Sequence, residues 1–515
     1  MKVHFKYKAI QYDVSRGVIP RLKTVEDRIE QLVPFGLNMV FFYMESVIDT
    51  AVLPAVGCGK TPVTFAYLKK LKKICEKHGV LLAPVLQILG HQEKLLALDK
   101  YEWMGEVPPP RNRSSSNNFR IDSPRVREIL FKWLDEILPY FHPPFVHLGC
   151  DEVWALGTGR SKNAIARLGF EKAVAGYISE FNDYIKKRGL RAIIWPDLII
   201  NHPKLLKHLP KDIILANWNY GIYEESYEQD NKHFAAQKHL AALGHENWVC
   251  GNNQAECAFN IYQRMRDNTA IWLDLARKYG AEGFVITDWP AFFSLPLYVS
   301  SVLGDQFVLM QLEKPSLTLK EFSNSFTRHV LGRTDAGFQR ALETMLMAQH
   351  NTKYWPKRLL YIAGPFRSLM LDDPGGNGSM ARRFASCERE GLERFLADMR
   401  KANKLMTGVK VKNPARKDYL NDFVMLSNRL LMIALRAMLW HEYVWDTTAV
   451  LPEREARLKK WFDEYMALSW NDLLWYKKRW YEENLEGEWS KTKEILENAR
   501  KAIAKIFPRC SNSTQ

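Results

Sequence analysis

Cysteine is scarce and unpatterned in this chain of 515 residues: seven occur, scattered and never in a C-x-x-C spacing. That argues against a disulfide scaffold or a zinc ribbon and suits free thiols in a reducing, cytoplasmic compartment. No apolar run approaches the roughly 20 residues that cross a bilayer. The opening Met-Lys-Val-His-Phe-Lys-Tyr-Lys has no apolar stretch behind its charges, so neither a span nor a signal peptide is expected. No G-x-G-x-x-G follows a strand-like segment, which removes the best reason for a dinucleotide fold, and no G-x-S-x-G elbow supports a Ser-His-Asp triad. Gly57-Cys58-Gly59-Lys60-Thr61 resembles the end of a phosphate loop, but Pro54 stands where that loop needs a glycine.

What is present is the composition of a globular protein with a full core: 47% hydrophobic and 25% charged residues. The net charge of +15 does not imply nucleic acid as a primary partner. Its cations are spread over the whole length and interleaved with acids, as in Glu453, Arg454, Glu455, Arg457, Lys459 and Lys460, and no nucleic-acid signature accompanies them. A weak attraction for polyanions or acidic glycans is the expected consequence.

Short β-type runs alternate with amphipathic helical segments up to about residue 310. Strands are expected at 5–12, 39–44, 80–86, 145–148, 191–195, 213–218, 248–250 and 284–287. Helices are expected at 25–32, 66–77, 126–138, 171–187, 231–242, 261–278 and 298–309, and the link between the fifth and sixth strands holds at most a short one. Eight such units predict a (β/α)8 TIM barrel over residues 1–311, although an open doubly wound sheet shares the alternation. Residues 312–515 turn to long helical segments (319–330, 381–406, 419–445, 453–469, 471–484 and 490–506) and read as an all-helical C-terminal domain, with a loop at 372–378. Its tryptophans, such as Trp461, Trp475 and Trp480, are core or interface aromatics at helical spacing.

A barrel does its chemistry at the C-terminal ends of its strands. Polar and aromatic residues recur there: Asp13 and Arg16, Glu45, Gln87 and His91, Asp151 and Glu152, Trp195 and Asp197, Trp218 and Tyr220, Asn252, Asp288 and Trp289. Asp151 and Glu152 are the sharpest signal, because two adjacent carboxylates at a strand end are costly unless a partner or ligand uses them. A helix N-cap would be the plain alternative for Asp151, but Gly157 and Gly159 indicate a loop next. His147 lies within the strand, where its spacing from Asp151 does not converge on a metal, and reads as a hydrogen-bonded barrel histidine. Trp195, Trp218 and Trp289 would wall a pyranose ring. The long loop at 105–120 would suit a flap over the mouth, or a disordered insert.

His147-Leu148-Gly149-Cys150-Asp151-Glu152-Val153 resembles the H-x-G-x-D-E-V motif of glycoside hydrolase family 20, the β-N-acetylhexosaminidases, and most closely its hexosaminidase D and streptococcal-type branch. Gln87-x-x-Gly90-His91, Trp195-Pro196-Asp197, Trp218-x-Tyr220, Trp289 and Trp480-x-x-Glu483-Asn484 support the resemblance. It implies a retaining exo-hydrolysis of terminal β-linked GlcNAc or GalNAc in which the substrate's own acetamide is the nucleophile, an exception to the two-carboxylate scheme. Glu152 would be the general acid and base, and Asp151 would orient the acetamide. Tyr220 would donate to the acetamide oxygen, with Glu45, Gln87, His91 and Asp197 on sugar hydroxyls. Lys8 occupies the position where the family has a hydroxyl-gripping arginine, so hydroxyl recognition should differ. The resemblance implies no cofactor, no metal and no membrane partner. The partner expected is a glycan ending in β-N-acetylhexosamine, and a homodimer is a permitted assembly. An exo-glycosidase for a modified hexosamine and a catalytically silent glycan-binding protein remain as alternatives.

Overall fold

The computed structural model describes residues 3–59, 61–109, 117–222, 228–255, 259–289, 297–355, 387–412, 414–445, 452–485 and 489–506. By its contacts the chain forms two compact units, one of residues 1–252, 268–288 and 484–488, the other of 253–267, 289–483 and 489–515.

In the first unit eight strands pair in parallel and in sequence order: β1 (Tyr7–Asp13), β2 (Met39–Tyr43), β3 (Leu81–Val85), β4 (Phe145–His147), β5 (Arg191–Ile194), β6 (Ile214–Trp218), β7 (Asn247–Asn252) and β8 (Gly283–Thr287). β8 returns to β1, with Tyr7 opposite Gly283, and closes the barrel. The (β/α)8 expectation holds, because strands buried on both faces read as nearly continuous apolar runs, as Met39-Val-Phe-Phe-Tyr43 does. Aromatic side chains plug the interior: Tyr7 stacks on Trp248 at 5.0 Å, and Phe145 meets both edge-on. Gly283 is required beside them, since a Cβ there would lie 2.2 Å from the Trp248 indole.

Helices between the strands are α1 (Leu22–Leu32), α2 (Phe65–Lys77), α3 (Glu93–Leu96), α4 (Pro124–Ile137), α5 (Lys162–Leu168), α6 (Phe170–Lys186), α7 (Asp197–Asn201), α8 (Glu228–Ala242) and α9 (Tyr262–Tyr279). Sequence signals mark several starts. Thr64 and Ser123 accept from the backbone N–H groups of Tyr67 and Val126, which caps α2 and α4. The short link between β5 and β6 is α7 followed by a 3-10 turn at Pro203–Lys207.

The second unit contains α10 (Tyr298–Glu313), α11 (Leu319–Leu331), α12 (Ala336–Leu346), α13 (Arg389–Thr407), α14 (Pro414–Trp445), α15 (Pro452–Glu483) and α16 (Trp489–Ile506). The helices expected at 453–469 and 471–484 are one, because Ser469-Trp470-Asn471 contains no breaker. The loop at 372–378 and residues 381–386 of an expected helix lie outside the described residues. The expectation that no segment is apolar enough to span a bilayer is corrected by Arg416–Glu442 in α14, whose mean hydropathy reaches 1.4. Its apolar window is 89% buried within the protein, as befits a core helix.

Candidate active site

The turn after β4 sets the site. Gly149, Cys150 and Glu152 all take positive φ (73°, 78° and 48°), so the chain twists out of the strand and presents Asp151. Gly149 is required twice over: its φ is left-handed, and a Cβ there would come within 1.9 Å of Gln87 Oε1. Only five described non-glycine residues have positive φ, and four of them are Glu45, His91, Cys150 and Glu152. Strained backbone of this kind, costing about 1–3 kcal/mol per residue, gathers where side chains must be aimed.

Asp151 is the hub. Gln87 Nε2 donates to its Oδ1 at 2.8 Å, and His91 Nε2 lies 3.1 Å from its Oδ2. The same His91 nitrogen is 3.5 Å from Glu152 Oε2, while His91 Nδ1 is 3.9 Å from Glu45 Oε1. Tyr43, two residues before Glu45 and the last residue of β2, donates to Glu45 at 2.9 Å and receives Gln87 Nε2 at 3.1 Å. The side chain of Asp151 is 11% exposed and that of Glu152 40%. No helix starts at Asp151. Its carboxylate is spent on side chains, and the next helix is α5.

The ionisations follow from this packing. Burial resists charging of His91, yet Asp151, Glu45 and Glu152 together push it up to about 10, so the ring is an imidazolium at neutral pH. Burial also resists charging of Asp151, but His91 and the Gln87 donor outweigh it and hold the carboxyl below its ordinary range. Glu152 shifts upward, because burial and the Asp151 anion outweigh His91 and Arg16. The two adjacent carboxyls are thereby shifted in opposite directions.

Asp197, at the start of α7, accepts from Trp218 Nε1 at 2.8 Å. Burial, then Asp151 and Glu152, push it up to about 7. Trp218 stacks on Tyr220 at 5.2 Å. Trp195 is buried deeper, 4.2 Å from the His147 ring, and its indole N–H has no hydrogen-bond partner among the described residues. His147 accepts from the Gly149 N–H, and burial drives it down to about 3, so it is neutral. Trp289 follows β8 by two residues, is half-buried and falls in the second unit.

Lys8 is not brought to this cluster. It lies in the first half of β1, its Nζ 3.1 Å from where a Cβ on Gly36 would stand, at the end where β2 begins. Asp288 is held by Arg28 of α1 at 2.8 Å, both side chains buried. Arg16, expected at the first strand end, joins the site, and two residues outside the expected set, Lys94 and Tyr43, enter it as well. Arg16 pairs with Asp13 at 3.3 Å and acts on Glu45 and Glu152 through its charge. Lys94 of α3 lies 3.5 Å from Glu45. Tyr43 was findable from its place two residues before Glu45, whereas nothing in the sequence marks a lysine in a four-residue helix. Among the described residues no group of His, Cys, Asp and Glu side chains is arranged to hold a metal.

Parts of the chain are similar to known proteins. Residues 70–275 fit the family model of the glycosyl hydrolase family 20 catalytic domain. A lacto-N-biosidase of Bifidobacterium bifidum is 25% identical over 235 residues, 43% of this chain and 19% of that protein, so the chain spans about a fifth of this relative's length. Among solved structures, a Flavobacterium johnsoniae chitobiase has 14% identity and a TM-score of 0.48 over 90% of this chain and 75% of its own. A GH138 enzyme targeting the pectin rhamnogalacturonan II has 10% identity and a TM-score of 0.56 over 98% and 83%, a likeness of fold. The matched stretch, which carries β3 to β7 and the Asp151–Glu152 turn, is similar to the catalytic domain of glycosyl hydrolase family 20.

Proposed function

We propose that the protein is an exo-acting, retaining β-N-acetylhexosaminidase that works by substrate-assisted catalysis. One observation carries the reading: His91 and Gln87 keep Asp151 anionic while its neighbour Glu152 is biased toward the protonated form.

Each charge has a use in that reaction. An acetamide attacking its own C1 becomes a cationic oxazolinium, and an anion fixed beside its N–H both orients the carbonyl oxygen and stabilises the developing charge. Because the nucleophile arrives tethered, much of the entropic barrier is already met. Glu152, the more exposed carboxyl, gives its proton to the departing oxygen and then takes one from water. Trp218 and Tyr220 offer stacked faces at the same mouth, and the Trp218–Asp197 bond fixes the indole plane. The natural substrate would be a glycan with terminal β-linked GlcNAc or GalNAc. A reducing, cytoplasmic setting is proposed on the scattered cysteines, none in a C-x-x-C spacing.

The test is release of 4-nitrophenol from its β-GlcNAc and β-GalNAc glycosides, with inhibition by a GlcNAc-thiazoline that mimics the oxazolinium. Hydrolysis with no thiazoline inhibition would remove acetamide participation. Binding without hydrolysis would leave a silent lectin.

A further inference from the structure

The loop bearing the two carboxyls runs on to α5, and its backbone is tied down along its length. Asn117 Nδ2 donates to the carbonyl of Glu152, and the Ala155 N–H donates to Asn118 Oδ1 at 3.3 Å. The N–H groups of Gly157, Gly159 and Ser161 converge on one oxygen of Glu106 at 3.2, 3.0 and 3.1 Å. Asn117, Asn118 and Glu106 are fully buried, and Ala155 and Leu156 in the loop itself are largely so. A buried carboxylate collecting three backbone donors is a rigid clamp.

Within this clamped segment Trp154 is 50% exposed. A loop that buries Ala155 and Leu156 while leaving the largest apolar side chain in water presents a surface, and its fixed backbone removes much of the ordering cost of binding. Trp154 follows Glu152 by two residues, a backbone span of at most about 7 Å. Glu152 is also the less enclosed of the two acids. In the reaction proposed above the leaving group must sit on the proton donor's side, because the proton goes to the oxygen that joins it to C1.

We propose that Trp154 forms the leaving-group subsite and stacks on the C–H face of the sugar ring attached to the scissile oxygen, with Glu106 as the residue that positions its loop. This rests on the hydrolase reading and adds to it a preference for substrates whose aglycone is itself a ring, such as a second hexose.

The experiment compares a β-linked di-N-acetylhexosamine with the corresponding glycosyl fluoride, whose leaving group has no ring, in wild type, Trp154→Ala and Trp154→Phe. Trp154→Ala should lower the ratio of kcat/KM on disaccharide to that on fluoride by about 10-fold, chiefly through KM, the order expected of one lost stacking contact. Trp154→Phe should recover most of that ratio. A ratio unchanged in Trp154→Ala overturns the subsite while the hydrolase stands, whether the two rates fall together or not at all. A wild type that cleaves neither substrate removes the hydrolase reading first and the subsite with it.

Discussion

His91 Nε2 sits 3.1 Å from Asp151 Oδ2 and serves as the cation of the site. One imidazolium touches both acids and also faces Glu45, so its removal should be felt at every ionisation in the mouth. In His91→Gln the favourable charge on Asp151 and Glu152 is gone and both carboxyls should titrate at higher pH. The acid limb of the kcat/KM profile, set by Asp151, and the basic limb, set by Glu152, should therefore both move upward. A profile that keeps its position with only its height reduced would deny His91 this electrostatic role.

The same pair should write itself into stability. The folded His91 ionises near 10 against an ordinary value of about 6.5. A raised folded value stabilises fully below about pH 6.5, and the contribution drains away as pH climbs through 10. Asp151 is depressed, so its share is present above about pH 3.9 and is lost as pH falls through its folded value. The Tm gap between wild type and His91→Gln should be widest near pH 5–6 and narrow toward pH 10. A gap that widens with alkali would contradict the pairing.

Glu152→Gln removes the proton carrier and leaves the shape. Loss of general acid catalysis should cost about 10²–10⁴ in kcat/KM on a disaccharide. A 2,4-dinitrophenyl glycoside, whose leaving group needs no proton, should suffer much less in the first step. Equal losses on both substrates would argue that Glu152 is not the donor. Asp151→Asn should impair both alike, because its task is the acetamide and not the leaving group.

The barrel and the acid pair were legible in the sequence for physical reasons. Parallel strands buried on both faces give apolar runs, and a glycine followed by two acids at a strand end has few structural uses. The 3-D proximity of His91, Gln87 and Glu45 to that pair was only implied, through their shared place at strand ends. Their arrangement as a polar network around Asp151 was not, since it depends on left-handed backbone at Glu45, His91 and Glu152, which no residue type announces. Lys8 shows the limit of counting positions along a strand. Its number matched a motif, but it lies in the first half of β1, toward the opposite end of the barrel. Trp154 had no signal beyond being a tryptophan, because its meaning comes from exposure on a clamped loop.

Gly149→Ala tests whether the turn itself matters. The new methyl would collide with the Gln87 amide that supports Asp151 and would hold a left-handed φ, a strain of about 1–2 kcal/mol before the collision is counted. Stability should fall by at least that amount in denaturant unfolding. Activity in the folded fraction should fall with it, because Gln87 must withdraw from Asp151 or from Tyr43.

In the helical unit, Arg429 of α14 and Asp472 of α15 pair at 2.8 Å with both side chains 1% exposed. The guanidinium also lies over the Tyr476 ring at 5.1 Å. Desolvating two ions costs several kcal/mol, which their attraction offsets only while both are present. Asp472→Ala strands a buried cation and should cost about 3–5 kcal/mol, whereas the double change Arg429→Met with Asp472→Leu, similar in volume and uncharged, should recover most of that loss. Urea unfolding of the single and double variants decides between the two cases. If the double variant is as unstable as the single one, then the pair contributes energy of its own. If it recovers, the charges chiefly specify how α14 and α15 align, and a mispaired register is excluded by the cost of burying either ion alone.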